Sequence, residues 1–292
     1  MNIAVLGLGA MGSRMAHRLL ATGEHHLTVW NRSPEATKPL VEAGATPAAT
    51  PALAAADRDL VVSMLRDDDA GRDVWLSPDD GALAAMAPGG IAVDCSTVTP
   101  GFSNELATRG ARHGVTWLDA PVVGSRPQAE AGALIFLVGG DPASLCRVTP
   151  VLRQLGAAVH HMGSTGSGAR MKLVVNALFA VQVAAVAELV GALDGTDLDP
   201  ARAVDVLTAT PVTGPASAGA ATAMLGRTFP AAFPIELVAK DLAYATTDAA
   251  LRDADLPLTS TTADVYQRAV DRGHGADNIT GVVQLFRGAD TV

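Results

Sequence analysis

The chain has 292 residues, 49% hydrophobic, 17% charged and 4% aromatic, with a formal net charge of −9 and a pI of about 5.1. That length accommodates two domains or one large one. The acidic balance argues against nonspecific nucleic-acid binding, which works by neutralising phosphates. The two cysteines, Cys95 and Cys146, offer no disulfide framework and fit a reducing cytoplasm.

The opening residues run straight into a strand-like pattern without a basic n-region, so no signal peptide is expected. Short apolar runs bounded by turn residues lie at 3–6, 27–30, 60–65, 91–94, 115–118 and 134–138, with helical patterns between several of them, as at 11–22 and 142–155. That alternation predicts βαβ units and a largely parallel sheet. After Gly163-Ser-Thr-Gly-Ser-Gly168 the strand signals stop, and helices are expected near 169–194, 200–209, 235–253 and 258–272. The reading is a sheet domain over 1–163 and an all-helical domain over 164–292, joined by the first of those helices. The apolar stretch 173–193 is long enough to span a membrane, but Asn176, Gln182 and Glu188 interrupt it. A central helix shared by two domains is the expectation, without a membrane partner.

Gly7-Leu8-Gly9-Ala10-Met11-Gly12 closes the first strand and opens the first helix. Gly7 suits the tight turn, Gly9 the approach of a pyrophosphate to the backbone, and Gly12 close helix–strand packing. The helix N-terminus adds amide donors and a positive dipole end. The second strand ends Trp30-Asn31-Arg32-Ser33. An acidic residue there would bind a ribose 2′-hydroxyl; Arg32 and Ser33 instead suit a 2′-phosphate, which favours NADP(H) over NAD(H).

Two more loops follow predicted strands, one with Met64 and Leu65, the other Asp94-Cys95-Ser96-Thr97-Val98-Thr99-Pro100. Ligands of such sheets bind beyond the carboxyl ends of the strands, so Ser96 and Thr97 are expected to face cofactor or substrate. Helix capping accounts equally well for Thr99, and Cys95 reads as a packed small hydrophobe. Asp67-Asp68-Asp69 reads as a helix start. No metal site is expected there or at His160-His161.

Only three of the 21 cations are lysines, and Lys172 falls in a stretch that is apolar almost all round from Met171 onward. This predicts a buried helix with Lys172 and Asn176 one turn apart on one face. A desolvated lysine shifts its pKa readily and suits proton transfer, which arginine cannot perform.

These ordered motifs resemble the β-hydroxyacid dehydrogenase superfamily over essentially the whole chain. Gly7-Leu-Gly-Ala-Met-Gly12 resembles its N-terminal fingerprint, Asp94–Pro100 its DxSTxxP-type loop, and Asp119-Ala-Pro-Val-Val-Gly-Ser-Arg-Pro its substrate segment. Gly168-xxx-Lys172-xxx-Asn176 resembles its catalytic motif, and Lys240-Asp241 its later lysine–aspartate pair. The pattern is most similar to the glyoxylate/succinic semialdehyde reductase branch.

The resemblance implies a Rossmann-type domain, an all-α C-terminal domain and hydride transfer between nicotinamide and a small aldehyde or hydroxyacid. It implies that Lys172 is the acid/base, that Asn176 assists it in holding substrate, and that Thr97 and Lys240 lie by the nicotinamide. Asn31 and Arg32 would take the adenosine end, and amides near Gly124 and Ser125 a substrate carboxylate. One departure stands out: Val123 replaces the usual serine, removing a donor worth about 1–3 kcal/mol at such a site. Imine reduction on the same fold and cofactor binding without catalysis are the alternatives. The apolar helices after Gly168 suggest a homodimer or homotetramer.

Overall fold

The computed structural model describes residues 1–287. It divides into two compact units, one from Met1 to Lys172 and one beginning at Leu173. The first unit is built on strands β1 (Asn2–Leu6), β2 (His26–Trp30), β3 (Thr46–Pro47), β4 (Leu60–Ser63), β5 (Ile91–Asp94), β6 (Thr116–Asp119), β7 (Val122–Val123), β8 (Leu134–Gly139) and β9 (Gly156–Gly163). They form one sheet in the order β3-β2-β1-β4-β5-β6-β8-β7, with β9 paired to β8. The run from β3 to β6 is parallel; β8 is antiparallel to β6 and β7. The strand order reverses between β1 and β4, which is where open α/β sheets bind their ligands.

Helices α1 (Gly12–Ala21), α2 (Lys38–Glu42), α3 (Pro51–Ala55), α4 (Asp68–Leu76), α5 (Ala82–Ala85), α6 (Pro100–Arg112), α7 (Arg126–Ala131) and α8 (Pro142–Leu155) connect the strands. They cover both faces, which explains why the strands read as continuous apolar runs. Ile3, Val5, Val29, Val62 and Val93 pack with Met15 and Leu19 of α1 and Leu152 of α8. The alternate residues Ala4, Leu6, Val61 and Ala92 pack with Trp75 of α4 and Phe102 and Leu106 of α6.

Side-chain caps fix several helix starts. Asp67 accepts from the Ala70 amide at 2.8 Å, as its place in the aspartate run predicts, and Thr99 accepts from the Phe102 amide at 3.1 Å. The six predicted strands and the two helical patterns placed at 11–22 and 142–155 fall where the periodicity puts them. Strands β3, β7 and β9 were not anticipated. The first two have two residues each and so carry no period, and β9 carries two exposed histidines.

Helix α9 (Ser167–Gly191) leaves the first unit at Lys172, and α10 (Pro200–Ala209), α11 (Pro215–Met224), α12 (Ile235–Ala250) and α13 (Pro257–Ala269) follow in the second. There Ala180, Val183, Ala187 and Val190, spaced at three and four, share a core with Met224, Val238, Leu242 and Tyr266. The Tyr266 hydroxyl donates to the Ala180 carbonyl at 3.3 Å. By length and composition α9 could cross a membrane; its packed face accounts for much of that apolarity as core. The expectation of a helix buried all round is corrected: Val174, Leu178 and Leu189 stand exposed on another side. Periodicity could not separate these sides because all are apolar. Alanine-rich α11 was missed for the same want of contrast.

Phe136 of β8 is fully buried in the first core. We expect Phe136→Ala to cost about 3–5 kcal/mol, read as a lower urea midpoint with an unchanged denaturant slope.

Candidate active site

The glycine turn is shaped by what a side chain would strike. Gly7 has φ +91°, and a Cβ there would collide with the Met64 carbonyl oxygen; one at Gly12 would collide with that of Gly7. At Gly9 a Cβ would meet nothing within 4 Å, so this stretch of backbone faces open space. The first and third glycines thus serve close packing, while the second leaves room for a ligand.

Leu8 is buried, Ala10 exposed and Met11 half-buried. The Leu8 amide donates to Asn31 Oδ1 at 2.9 Å, and Asn31 Nδ2 donates to the Ser33 carbonyl at 3.0 Å. Asn31 therefore ties the end of β2 to the glycine turn. No acidic side chain occupies the first turn of α1. Arg32 and Ser33 are exposed beside it. Open backbone at Gly9, the N-terminus of α1 and an exposed guanidinium after β2 fit the phosphates of a dinucleotide.

The loops after β4 and β5 are locked together by a buried carboxylate. Asp94 Oδ1 accepts from Ser63 Oγ at 2.6 Å, from Ser96 Oγ at 2.5 Å and from the Ser96 amide at 3.2 Å. Ser96 Oγ in turn accepts from the Leu65 amide at 2.7 Å, and Trp75 Nε1 donates to Ser63 Oγ at 3.2 Å. Burial raises the Asp94 pKa while these bonds oppose the rise. The expectation that Ser96 faces substrate is corrected, because its buried hydroxyl is engaged on both sides. It ties Leu65 to the neighbouring loop, in which Thr97 is half-buried. Cys95 is a packed residue, its thiol pushed well up by burial and then by Asp94. Asp68 holds Thr99 by accepting from its amide at 2.9 Å and its hydroxyl at 2.6 Å.

Asp119, at the end of β6, reaches the start of α9. Its Oδ1 accepts from the Gly166 amide and its Oδ2 from the Ala169 amide, both at 2.8 Å. Lys172 follows one turn later and is half-buried. In the segment after Asp119, Val123 is half-buried and Gly124 has φ +123°. The Ser125 amide donates to Gln128 Oε1 at 2.9 Å. One of the two amides expected to take a carboxylate is thus engaged by a local cap, legible in the sequence as Ser125-x-x-Gln128.

In the second unit, buried Asn176 donates through Nδ2 to Asp241 Oδ2 at 2.6 Å. Lys240 Nζ lies 3.1 Å from Asp241 Oδ1 and 4.9 Å from the centroid of the Tyr244 ring. Asp241 thus joins two predicted site residues, Asn176 and Lys240. The sequence marked Asp241 only as a neighbour of Lys240, and missed Asp94 and Asp119 as anchors. The available signal was an acid at the end of an apolar strand.

Burial raises the Asp119 pKa from 3.8 to about 6, against the lowering by the Gly166 and Ala169 amides, with Asp94 on the adjacent strand adding to the rise. A carboxylate with a raised native pKa lets the folded state take up its proton first. Its contribution to stability is present below the unfolded value and is lost as pH rises through about 6. Urea midpoints should show Asp119→Asn less destabilised by raising pH from about 4 to about 6 than wild type.

Comparison with known proteins adds the family. Residues 2–163 match the NAD-binding domain of 6-phosphogluconate dehydrogenase, and residues 166–286 match the NAD-binding family of NADP-dependent 3-hydroxyisobutyrate dehydrogenase. A 3-hydroxyisobutyrate dehydrogenase of Pseudomonas aeruginosa is 32% identical, covering 99% of each chain. Glyoxylate/succinic semialdehyde reductase 2 of Arabidopsis thaliana, a chloroplastic protein, is also 32% identical over 99% of this chain and 80% of its own. The solved structure of Mycobacterium tuberculosis 3-hydroxyisobutyrate dehydrogenase with L-serine superposes with a TM-score of 0.84 at 30% identity, covering 98% of this chain and 99% of that one. With the glycine turn, the reversed strand order and the helical second unit already in place, the chain belongs to the β-hydroxyacid dehydrogenase superfamily and is an NAD(P)-dependent oxidoreductase of that family.

Proposed function

We propose that the protein reduces a small aldehyde or keto acid with NADPH, using Lys172 as general acid, and as general base in the reverse direction. The observation that carries this reading is the pairing on α9 of half-buried Lys172 with Asn176, whose amide is fixed by Asp241 at 2.6 Å. When bound, the nicotinamide supplies the hydride that the carbonyl carbon gains. Negative charge then develops on the carbonyl oxygen; the Lys172 ammonium stabilises it and delivers the proton that completes the alcohol. Asn176, one turn away on the same face, positions the ammonium or the substrate oxygen.

Arg32 and Ser33 would hold the 2′-phosphate, Asn31 the shape of that end, and Gly9 the pyrophosphate approach. Thr97 and Lys240 serve the nicotinamide side. Gly124, with Val123 beside it, receives the substrate's acid group. With Val123 in place of a hydroxyl and the Ser125 amide bonded to Gln128, this pocket offers few donors. That weakens the hold on a carboxylate and makes the usual short hydroxyacids poor substrates. Pairing of subunits as a homodimer or homotetramer would cover Val174, Leu178 and Leu189, which are exposed in the single chain.

Lys172→Ala should lower kcat by about 10²–10⁴ while NADPH binding, read by its fluorescence, stays within about twofold. Undiminished turnover would refute the assignment. Arg32→Ala should raise the NADPH KM about tenfold or more, a charge-assisted bond being worth roughly 1.5–3 kcal/mol, and leave the NADH KM unchanged; equal effects on both cofactors would remove the NADP preference. A panel of glyoxylate, succinic semialdehyde, uncharged aldehydes and cyclic imines decides the reaction class. Turnover confined to the imines would replace carbonyl reduction, and binding without any turnover would leave a cofactor-binding protein.

A further inference from the structure

We infer that Asp119 is a positioning residue for Lys172: its carboxylate grips the first turn of α9 inside a cradle of two glycines and so sets where the lysine stands. The inference rests on the catalytic reading of Lys172 but concerns a different residue, on a different element, 53 positions earlier in the chain.

Three observations carry it. First, the two carboxylate oxygens each take a different amide of the same turn, Gly166 and Ala169, both at 2.8 Å. A two-point grip fixes rotation about the helix axis as well as position along it, whereas an ordinary N-cap comes from the adjoining residue and moves with the helix. Asp119 belongs to the sheet, 47 and 50 residues away from its two partners, so it locks the helix to the sheet.

Second, the glycines around it admit nothing larger. A Cβ at Gly139 would lie 2.6 and 2.7 Å from the two Asp119 oxygens. A Cβ at Gly168 would lie 2.9 Å from Oδ2 and collide with the Leu137 carbonyl oxygen. Gly168 is the glycine of the Gly-xxx-Lys-xxx-Asn pattern, and this contact supplies its physical reason: the helix lies against β8 and Asp119 with no space between.

Third, the geometry of a helix carries the grip directly to the lysine. Lys172 is four residues beyond Gly168, so it sits about 6 Å along the axis and about 40° round from the side packed on β8 and Asp119. That is a single turn, too short for bending to absorb a displacement at its start. Catalysis is sensitive on this scale, since a misplacement of about 1 Å can cost about 10²-fold in rate.

The test compares wild type with Asp119→Asn, which keeps the shape but presents one acceptor oxygen to two N–H donors. Because the chain has only three lysines, trace acetylation with acetic anhydride, read by peptide mass spectrometry, reports Lys172 against exposed Lys38 as an internal reference. We expect the Lys172-to-Lys38 ratio to change at least about threefold and amide exchange over residues 166–172 to quicken about tenfold or more. Exchange in β1 and β4 and the Lys240-to-Lys38 ratio should hold. With glyoxylate as the probe substrate, kcat should fall about 10–100-fold while NADPH binding stays within about twofold.

An unchanged ratio and unchanged exchange overturn the inference, whether or not Lys172→Ala is inactive. Changed ratio and exchange with undiminished kcat also overturn it, provided Lys172→Ala is inactive. If both change and Lys172→Ala still turns over, the grip stands and the acid/base reading falls instead. Should Asp119→Asn not fold, exchange in the wild-type chain decides: Gly166 and Ala169 amides as fast as a fraying terminus would refute the grip, and protection equal to the central strands would support it.

Discussion

At the carboxyl end of the sheet the backbone approaches itself more closely than any side chain permits, and the arrangement of the site follows from that constraint. Gly7 lies against the Met64 carbonyl, Gly12 against that of Gly7, and Gly168 against that of Leu137. The first two contacts seat α1 on β1 and β4, so that its N-terminus lies at the crevice where the strand order reverses. The third seats α9 on β8. Interiors are packed at crystal density, so a methyl group at any of these points has nowhere to go.

Buried carboxylates then use the space the glycines leave. Asp94 and Asp119 are paired directly across β5 and β6. Each would be costly if left without donors. Asp94 is met by Ser63 and Ser96, and Asp119 by two amides of the Gly166–Ala169 turn. The same bonds that make burial tolerable fix the loops and the helix that carry Leu65, Thr97 and Lys172. In the second unit Asp241 does comparable work for Asn176 and Lys240. A buried ion pair is weak evidence for stability in itself; one that also orients an amide on α9 is better understood as a positioning device.

The segment after Asp119, which we propose receives the substrate, shows what is lost when donors are diverted. Val123 brings no hydroxyl, and the Ser125 amide serves Gln128 at the start of α7. A pocket organised in this way discriminates by shape and a few backbone groups, and hydrophobic contacts separate related substrates less sharply than hydrogen bonds do.

By itself the sequence determined the strand–helix alternation, the glycine fingerprint, the helical second half and the spacing of Lys172 from Asn176. Each is a local pattern, set by residues within one or two turns of each other, and the caps at Asp67 and Thr99 were legible for the same reason. Tertiary structure decided what Ser96, Asp119 and Asp241 do. Their partners are 31 residues away for Ser96 with Leu65, 47 and 50 for Asp119, and 65 for Asp241 with Asn176. No periodicity reports such distances. A hydroxyl expected to face substrate and one already accepting from an amide 31 residues away have the same letter in the sequence; only the fold brings up the partner that distinguishes them.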